Sequence, residues 1–386
     1  MSIALVGGKI VTPFRIIENS VLTTKDDKIF EIGYADDLNI SDNSEVIDIK
    51  DHYLVPGFVD LLVHGGGGFG FSDGIYESIP KISEYFLKHG STSMLGSLHA
   101  KPEKDLLDDL SKLSDFILAN PNSNIKAIHM EGPYLNPLLK GAMNEDYLWK
   151  PSIESFNKMW EASKGLIKIM TIAPELPGAL DVIREASFRG VVCSIGHSTA
   201  DYETIDKAIS NGAAHVTHIF NAMKQMHHRE PSLITASLLR DELKIELIAD
   251  KLHVHPAVME LLLKTKTSKG IILITDSIRA GGMHDGEFQF SDQKVILNNN
   301  KATLVDGTLA GSTLTLDNAI KNLLDTTSAS ITDAVRMSSL NGAKVIGLDR
   351  GIIASGKTAD LVVLDKNWKV QFTILNGKIA YRRNKI

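Results

Sequence analysis

Eight apolar segments, each ending abruptly in polar or glycine residues, constrain this 386-residue chain more than any other feature. In order they are YLVPGFVDLLVHG, STSMLGSL, IKAIHMEG, LIKIMTIAPE, VVCSIGH, AHVTHIF, KIELIAD and IILITDS. Their apolar residues run together rather than alternate, the pattern of strands buried on both faces. Amphipathic helical patterns lie between most of them: SIPKISEYFLKHG, KDLLDDLSKLSDFILAN, SIESFNKMWEASKG, ALDVIREASFRG and YETIDKAISNG. Most of these stop at glycine, the usual helix terminator. Eight such β/α units over roughly 250 residues predict an α/β fold, the TIM (β/α)8 barrel.

The ends of the chain read differently. Residues 1–55 hold short strands and turns, IALVGGKIVTP, SVLTTKDDKIFEIG and SEVIDIKDHYLVPG, and residues 355–386 do the same in TADLVVLDKNWKVQFTILNGKIAYR. The tripeptide GKI occurs in both, at Gly8–Ile10 and Gly377–Ile379. The expectation is a small β-sandwich domain built from both termini beside a barrel spanning 56–354. Residues 281–310, with DGEFQF and KATLVDG, predict a β-hairpin excursion after the eighth strand.

Composition narrows the class. Hydrophobic residues make up 43% and charged residues 23%, ordinary for a globular protein. A net charge of -6 and a pI near 6.1 give no nucleic-acid surface, though a local basic pocket for a small anion is compatible with both. Cys193 is the only cysteine, so no intrachain disulfide forms and a reducing compartment fits. The start, MSIALVGGKI, lacks the basic region of a signal peptide, and no apolar stretch is long enough to span a bilayer. A cytoplasmic enzyme without a membrane partner is the expectation.

Barrels of this kind carry their active sites at the C-terminal ends of the strands. The polar residues there are His64, Glu131, His197, His218, Asp250 and Asp276. Two histidines and a carboxylate from strands three, five and six can converge on one ion, the set typical of a catalytic zinc that keeps a position open for water. Other residues read as structural. His215 lies three residues before His218, on the other side of a strand. Cys193 reads as a buried small hydrophobe, Asp250 as a residue that orients a loop, and His99, His227 and His228 carry no assigned role. The run GGGGFG after His64 leads into a turn rather than a helix, so it reads as a flexible loop at the barrel mouth rather than a dinucleotide site. HGGG has no accompanying Gly-x-Ser-x-Gly elbow anywhere in the chain.

HMEGPYLNP, SIGHSTA, THIFNAM, REP, IADKLHVHP, LITDS and TLAGS occur in this order. With PGFVD and the split β domain, the chain resembles the N-acetylglucosamine-6-phosphate deacetylase family of the amidohydrolase superfamily over nearly its whole length. The resemblance implies metal-dependent hydrolysis of an N-acetyl group from a phosphosugar, with Glu131, His197 and His218 as metal ligands and Asp276 as catalytic acid/base. It implies substrate contacts from Ala142 and Met143, from Asn221 and Ala222, from His253, and from a closing loop of Leu309, Ala310 and Gly311, with Arg229 on the phosphate. It further implies one divalent ion per subunit, zinc first and iron, cobalt or manganese as alternatives, and a homodimer.

Two positions depart from the family pattern. Where some members have His-x-His at the end of strand one, this chain has Leu62-Val63-His64, and leucine binds no metal, so a mononuclear site is expected. Where many members place a carbonyl-polarising histidine, it has Met143, which has no donor for an oxyanion. His64 is the nearest candidate for an oxyanion donor or for a residue that supports the metal ligands. Related sugars such as N-acetylgalactosamine 6-phosphate, and a non-catalytic module on the same fold, are the competing readings.

Overall fold

The computed structural model describes residues 2–34, 40, 43–73 and 77–383. Eight parallel strands form the barrel: Phe58–Val63, Ser91–His99, Ile125–Glu131, Ile167–Ile172, Val192–Ile195, Ala213–Val216, Lys244–Ile248 and Ile271–Ile274. Each expected segment supplies one of them. Almost every residue of these strands is buried, which accounts for their unbroken apolar runs.

The last and first strands meet mainly at their upper ends. Asp276 donates its N–H to Leu62 O (2.9 Å) and His64 donates to Ser277 O (2.8 Å). Below them the buried Asp60 carboxylate accepts from both the N–H (3.1 Å) and the hydroxyl (2.7 Å) of Thr275. This seam carries two residues of the site, His64 and Asp276, into register.

The five helical patterns form helices at Ser78–Lys88, Glu103–Ala119, Ile153–Ala162, Ala179–Phe188 and Tyr202–Ser210. Ile79, Ile82 and Phe86 of the first, and Leu106, Leu110, Leu113 and Ile117 of the second, recur at three- and four-residue spacing and are buried. Ser152 and Asp201 cap the third and fifth by accepting from the backbone N–H groups of Ser155 and Thr204. Leu233–Leu239, Pro256–Gly270 and Leu316–Thr326 add further helices after strands six, seven and eight.

The two termini join in one mixed sheet of eight strands, branched at its first strand, Ser2–Val11. That strand pairs antiparallel with Ile16–Lys25 and parallel with both Ser44–Asp48 and Tyr53–Pro56. Leu361–Leu364 pairs with Tyr53–Pro56 and continues through Val370–Leu375 to Lys378–Arg382. The expected sandwich is thus continuous in its hydrogen bonding and surrounds its own core, including Leu5, Ile10, Leu22, Leu54, Leu361 and Ile374. The segment YLVPGFVDLLVHG serves both units. Tyr53–Pro56 belongs to the terminal sheet and Phe58–Val63 to the barrel. Gly57 sits between them, where a Cβ would lie 2.0 Å from Thr92 Oγ1.

The excursion after strand eight has three antiparallel strands, Gly286–Phe290, Gln293–Asn298 and Lys301–Leu304, one more than a hairpin. The glycine run is not an open loop. Gly65–Gly66 pairs with Phe69–Gly70, and a Cβ on Gly66 would come within 2.6 Å of the Tyr85 ring. Among the described residues, no helix is long and apolar enough to cross a membrane.

Candidate metal centre

Glu131 ends strand three, and His197 and His218 stand just past strands five and six. His197 and His218 have φ of 49° and 30°, and Asp276 has φ of 50°. Such left-handed conformations in residues other than glycine cost energy, and they turn these side chains over the barrel axis instead of along the strand.

The three donor atoms meet at one point. Glu131 Oε1 lies 3.2 Å from His197 Nε2 and 3.0 Å from His218 Nε2, and the two nitrogens are 3.1 Å apart. These separations approach the ~3.3 Å edge of a tetrahedron of ligands about 2.0–2.1 Å from a central zinc ion. His197 donates from Nδ1 to Leu139 O (2.7 Å), which leaves its Nε2 lone pair aimed at the cluster. The donor set therefore fits a divalent ion.

The second oxygen of Glu131 has a different partner. His64 donates from Nε2 to Glu131 Oε2 (2.9 Å) and lies 3.5 Å from Asp276 Oδ1. One carboxylate oxygen faces the two histidines and the other is held by His64. The Nδ1 atoms of His64 and His218 are buried with no hydrogen-bond partner among the described residues.

The electrostatics follow from burial and proximity. Burial pushes the Glu131 carboxyl up, but hydrogen bonds from His197, His218 and His64 outweigh it and hold the group well below the usual range. Burial opposes charge on His218 as well, yet the bond to Glu131 and its charge raise it to about 9. Burial and then the charge of Glu131 raise Asp276 to about 6. A carboxyl near neutrality both accepts and returns a proton at working pH.

A cavity of about 490 Å³ opens over the cluster. Its walls include Glu131, His197, His218, Asp276 and His64, together with Ala142, Met143, Asn221, Ala222, His253, Leu309 and Gly311. Asp250 accepts from His253 Nδ1 (2.6 Å) and from the N–H groups of Leu252 and His253, so it orients that histidine. Ala310 is buried outside the lining and donates its N–H to Ala302 O (3.1 Å). Arg229 is not in the cavity wall. It is exposed, and its guanidinium contacts His228 Nε2 (2.9 Å). The family resemblance implies a phosphate role for Arg229, and within one chain the structure leaves that cation at the surface.

The sequence reading missed Lys140, a cation in the cavity wall whose Nζ donates to Met143 O (3.1 Å). Its signal was its place in the LLKGAMNE loop. The reading also missed Glu246, fully buried in strand seven and paired with His215 Nε2 (3.0 Å). A charged residue inside a barrel strand was the available clue. His99 is buried and neutral: burial, then the neighbouring His64, lowers it to about 3.

Residues 53–380 match the model of the amidohydrolase family. An N-acetylglucosamine-6-phosphate deacetylase of Bacillus subtilis (strain 168) is 35% identical over 96% of this chain and 95% of its own length. An N-acetylgalactosamine-6-phosphate deacetylase of Escherichia coli O157:H7 is 32% identical over 85% of this chain and 87% of its own. Among solved structures, a mutant of the N-acetyl-D-glucosamine-6-phosphate deacetylase from Mycobacterium smegmatis, in complex with N-acetyl-D-glucosamine-6-phosphate, superposes with a TM-score of 0.93. It is 30% identical over 98% of this chain and 99% of that one.

Proposed function

Since this chain belongs to the amidohydrolase family, we propose that it removes the acetyl group of N-acetylglucosamine 6-phosphate, giving glucosamine 6-phosphate and acetate. The convergence of Glu131, His197 and His218 on one point beneath a cavity of substrate size carries this reading. Full-length similarity to deacetylases of that substrate supports it.

Glu131 Oε1, His197 Nε2 and His218 Nε2 would hold one divalent ion, zinc first and iron, cobalt or manganese next. Bound there, the ion supplies Lewis-acid chemistry, lowering the pKa of a water to about 7 and polarising the acetyl carbonyl. Asp276 takes a proton from the attacking water and returns it to the sugar nitrogen as the C–N bond breaks. His64 holds Glu131 Oε2 and so presents Oε1 to the ion. Its Nε2 also lies 3.5 Å from Asp276 Oδ1, but the one N–H there is engaged by Glu131, and Met143 brings no donor to the acetyl carbonyl. Ala142, Met143, Asn221, Ala222 and His253 form the walls around the sugar, and Leu309, Ala310 and Gly311 the loop over it.

The exposure of Arg229 favours an arrangement in which it meets the phosphate of a substrate held by a second copy, in a homodimer. Residues 56–354 would form the catalytic unit, with 1–55 and 355–386 as the supporting domain. A cytoplasmic location suits the lone, buried Cys193 and a phosphorylated substrate.

The test is metal content beside substrate preference. The reconstituted protein is expected to hold one ion per chain and to lose it in His197→Ala. It is expected to release amine from the gluco substrate faster than from N-acetylgalactosamine 6-phosphate, its 4-hydroxyl epimer. A faster galacto reaction would reassign the sugar, and full metal in His197→Ala would remove the site.

A further inference from the structure

Beneath the three converging donors, the barrel interior is polar where such barrels usually hold Val, Ile and Leu. His129, two residues before Glu131, donates from Nδ1 to Leu61 O (2.8 Å), and its Nε2 meets Thr171 Oγ1 (2.9 Å). Thr171 Oγ1 bonds Thr217 Oγ1 (2.8 Å), which bonds Ser194 Oγ (2.6 Å). Glu246 is the acidic member of this buried layer and is fully shielded from solvent. Sequestering a carboxylate costs several kcal/mol unless close partners offset it, so its contacts are informative.

Those contacts bracket one residue. Glu246 Oε1 holds His215 Nε2 (3.0 Å), Oε2 accepts the backbone N–H of His218 (3.4 Å), and the carbonyl of Glu246 accepts the N–H of Ile219 (2.9 Å). His218 needs such a hold more than His197 does. The ring of His197 is fixed from its far nitrogen by Leu139 O, whereas His218 Nδ1 is buried without a partner among the described residues. The backbone of His218 is also in a left-handed conformation, with φ of 30°. Its ring direction is therefore set through the main chain, whose carbonyl accepts from Asn221 N–H (3.0 Å) and Nδ2 (3.2 Å) and whose N–H is held by Glu246.

We propose that Glu246 is the positioning residue for His218, clamping its backbone so that Nε2 faces the metal position. This rests on the metal-dependent reading above. The clamp needs an acceptor toward the His218 N–H and a partner toward His215. Glutamine keeps the acceptor on the His218 N–H, and its amide N–H meets the lone pair of His215 Nε2 once that imidazole carries its proton on the buried Nδ1. Leucine fills the space and satisfies neither.

The experiment measures metal affinity by chelator competition, the visible spectrum of the cobalt-substituted protein, and metal-free thermal stability, in wild type, Glu246→Leu and Glu246→Gln. Glu246→Leu is expected to bind metal about 10- to 100-fold more weakly, with an altered cobalt spectrum, and to melt lower without metal because the buried N–H groups of His215 and His218 lose their acceptor. Glu246→Gln is expected to stay within about threefold of wild type and to keep the spectrum. Should the leucine variant not fold, Glu246→Asp replaces it, because it keeps the charge but draws the carboxylate back from both partners, and the same loss is expected. Wild-type affinity and spectrum in the leucine or aspartate variant would overturn the proposal, as would equal weakening in Glu246→Gln. Wild-type protein that holds no metal would instead sink the metal-dependent reading, and this inference with it.

Discussion

Glu131 illustrates how two oxygens of one side chain take separate duties. Oε1 shares a point with His197 and His218, and Oε2 is fixed by His64. Without the imidazole, the carboxylate is free to rotate and Oε2 is buried unpaired. His64→Ala is therefore expected to weaken metal binding about 10- to 100-fold, measurable by chelator competition. Unchanged affinity would assign His64 to loop packing. The candidate metal set was legible because each of its residues ends an apolar run, where a barrel exposes its working side chains. Glu246 and His129 were not, because they lie inside the runs, and which strand residues face the barrel axis depends on strand pairing that sequence alone does not fix.

The seam between the first and eighth strands is the element that joins His64 to Asp276. Asp60 anchors it, and burial raises that carboxyl from an ordinary 3.8 to about 7, against the hydrogen bonds from Thr275. A carboxyl raised on folding favours the protonated form. Its contribution is present in full below pH ~4 and is lost as pH rises through about 7, by at most about 4 kcal/mol. Asp60→Asn keeps a carbonyl acceptor and removes the titration. Denaturant unfolding between pH 4 and 7 is expected to show a shallower decline in the variant, and an identical slope would contradict the assignment. The strands themselves were readable, since short continuous apolar runs that alternate with amphipathic helices fit a sheet covered on both faces. The double use of YLVPGFVDLLVHG was not, because the break at Gly57 depends on the close approach of Thr92 from the second barrel strand.

At the scale of the whole molecule, one face of the terminal sheet covers its own core, while the other packs Val11, Val55, Val362, Leu364 and Val370 into the core of the barrel, and Gly57 donates its N–H to Asp360 O (2.9 Å) at the junction. The repeated GKI at the two ends marked that sheet, although its branching at Ser2–Val11 left no trace in the sequence. Arg229 belongs to this scale as well. If it serves a partner's substrate, Arg229→Ala should raise KM for the phosphosugar about tenfold or more with little change in kcat. Co-assembly with an Asp276→Asn chain should then restore low-KM turnover in part, because each mixed dimer holds one site with both residues intact. No rescue on mixing would place Arg229 within its own chain or outside the reaction.

The central claim is that a metal centre on strands three, five and six works with Asp276 to cleave an amide. The most direct measurement is the rate of free-amine release from N-acetylglucosamine 6-phosphate by metal-reconstituted protein, beside Asp276→Asn. Clear release by the wild type, lost by at least about 10³-fold in the variant with its metal retained, is the predicted result. Equal rates in the two proteins, or no release by a folded, metal-loaded wild type, would contradict it.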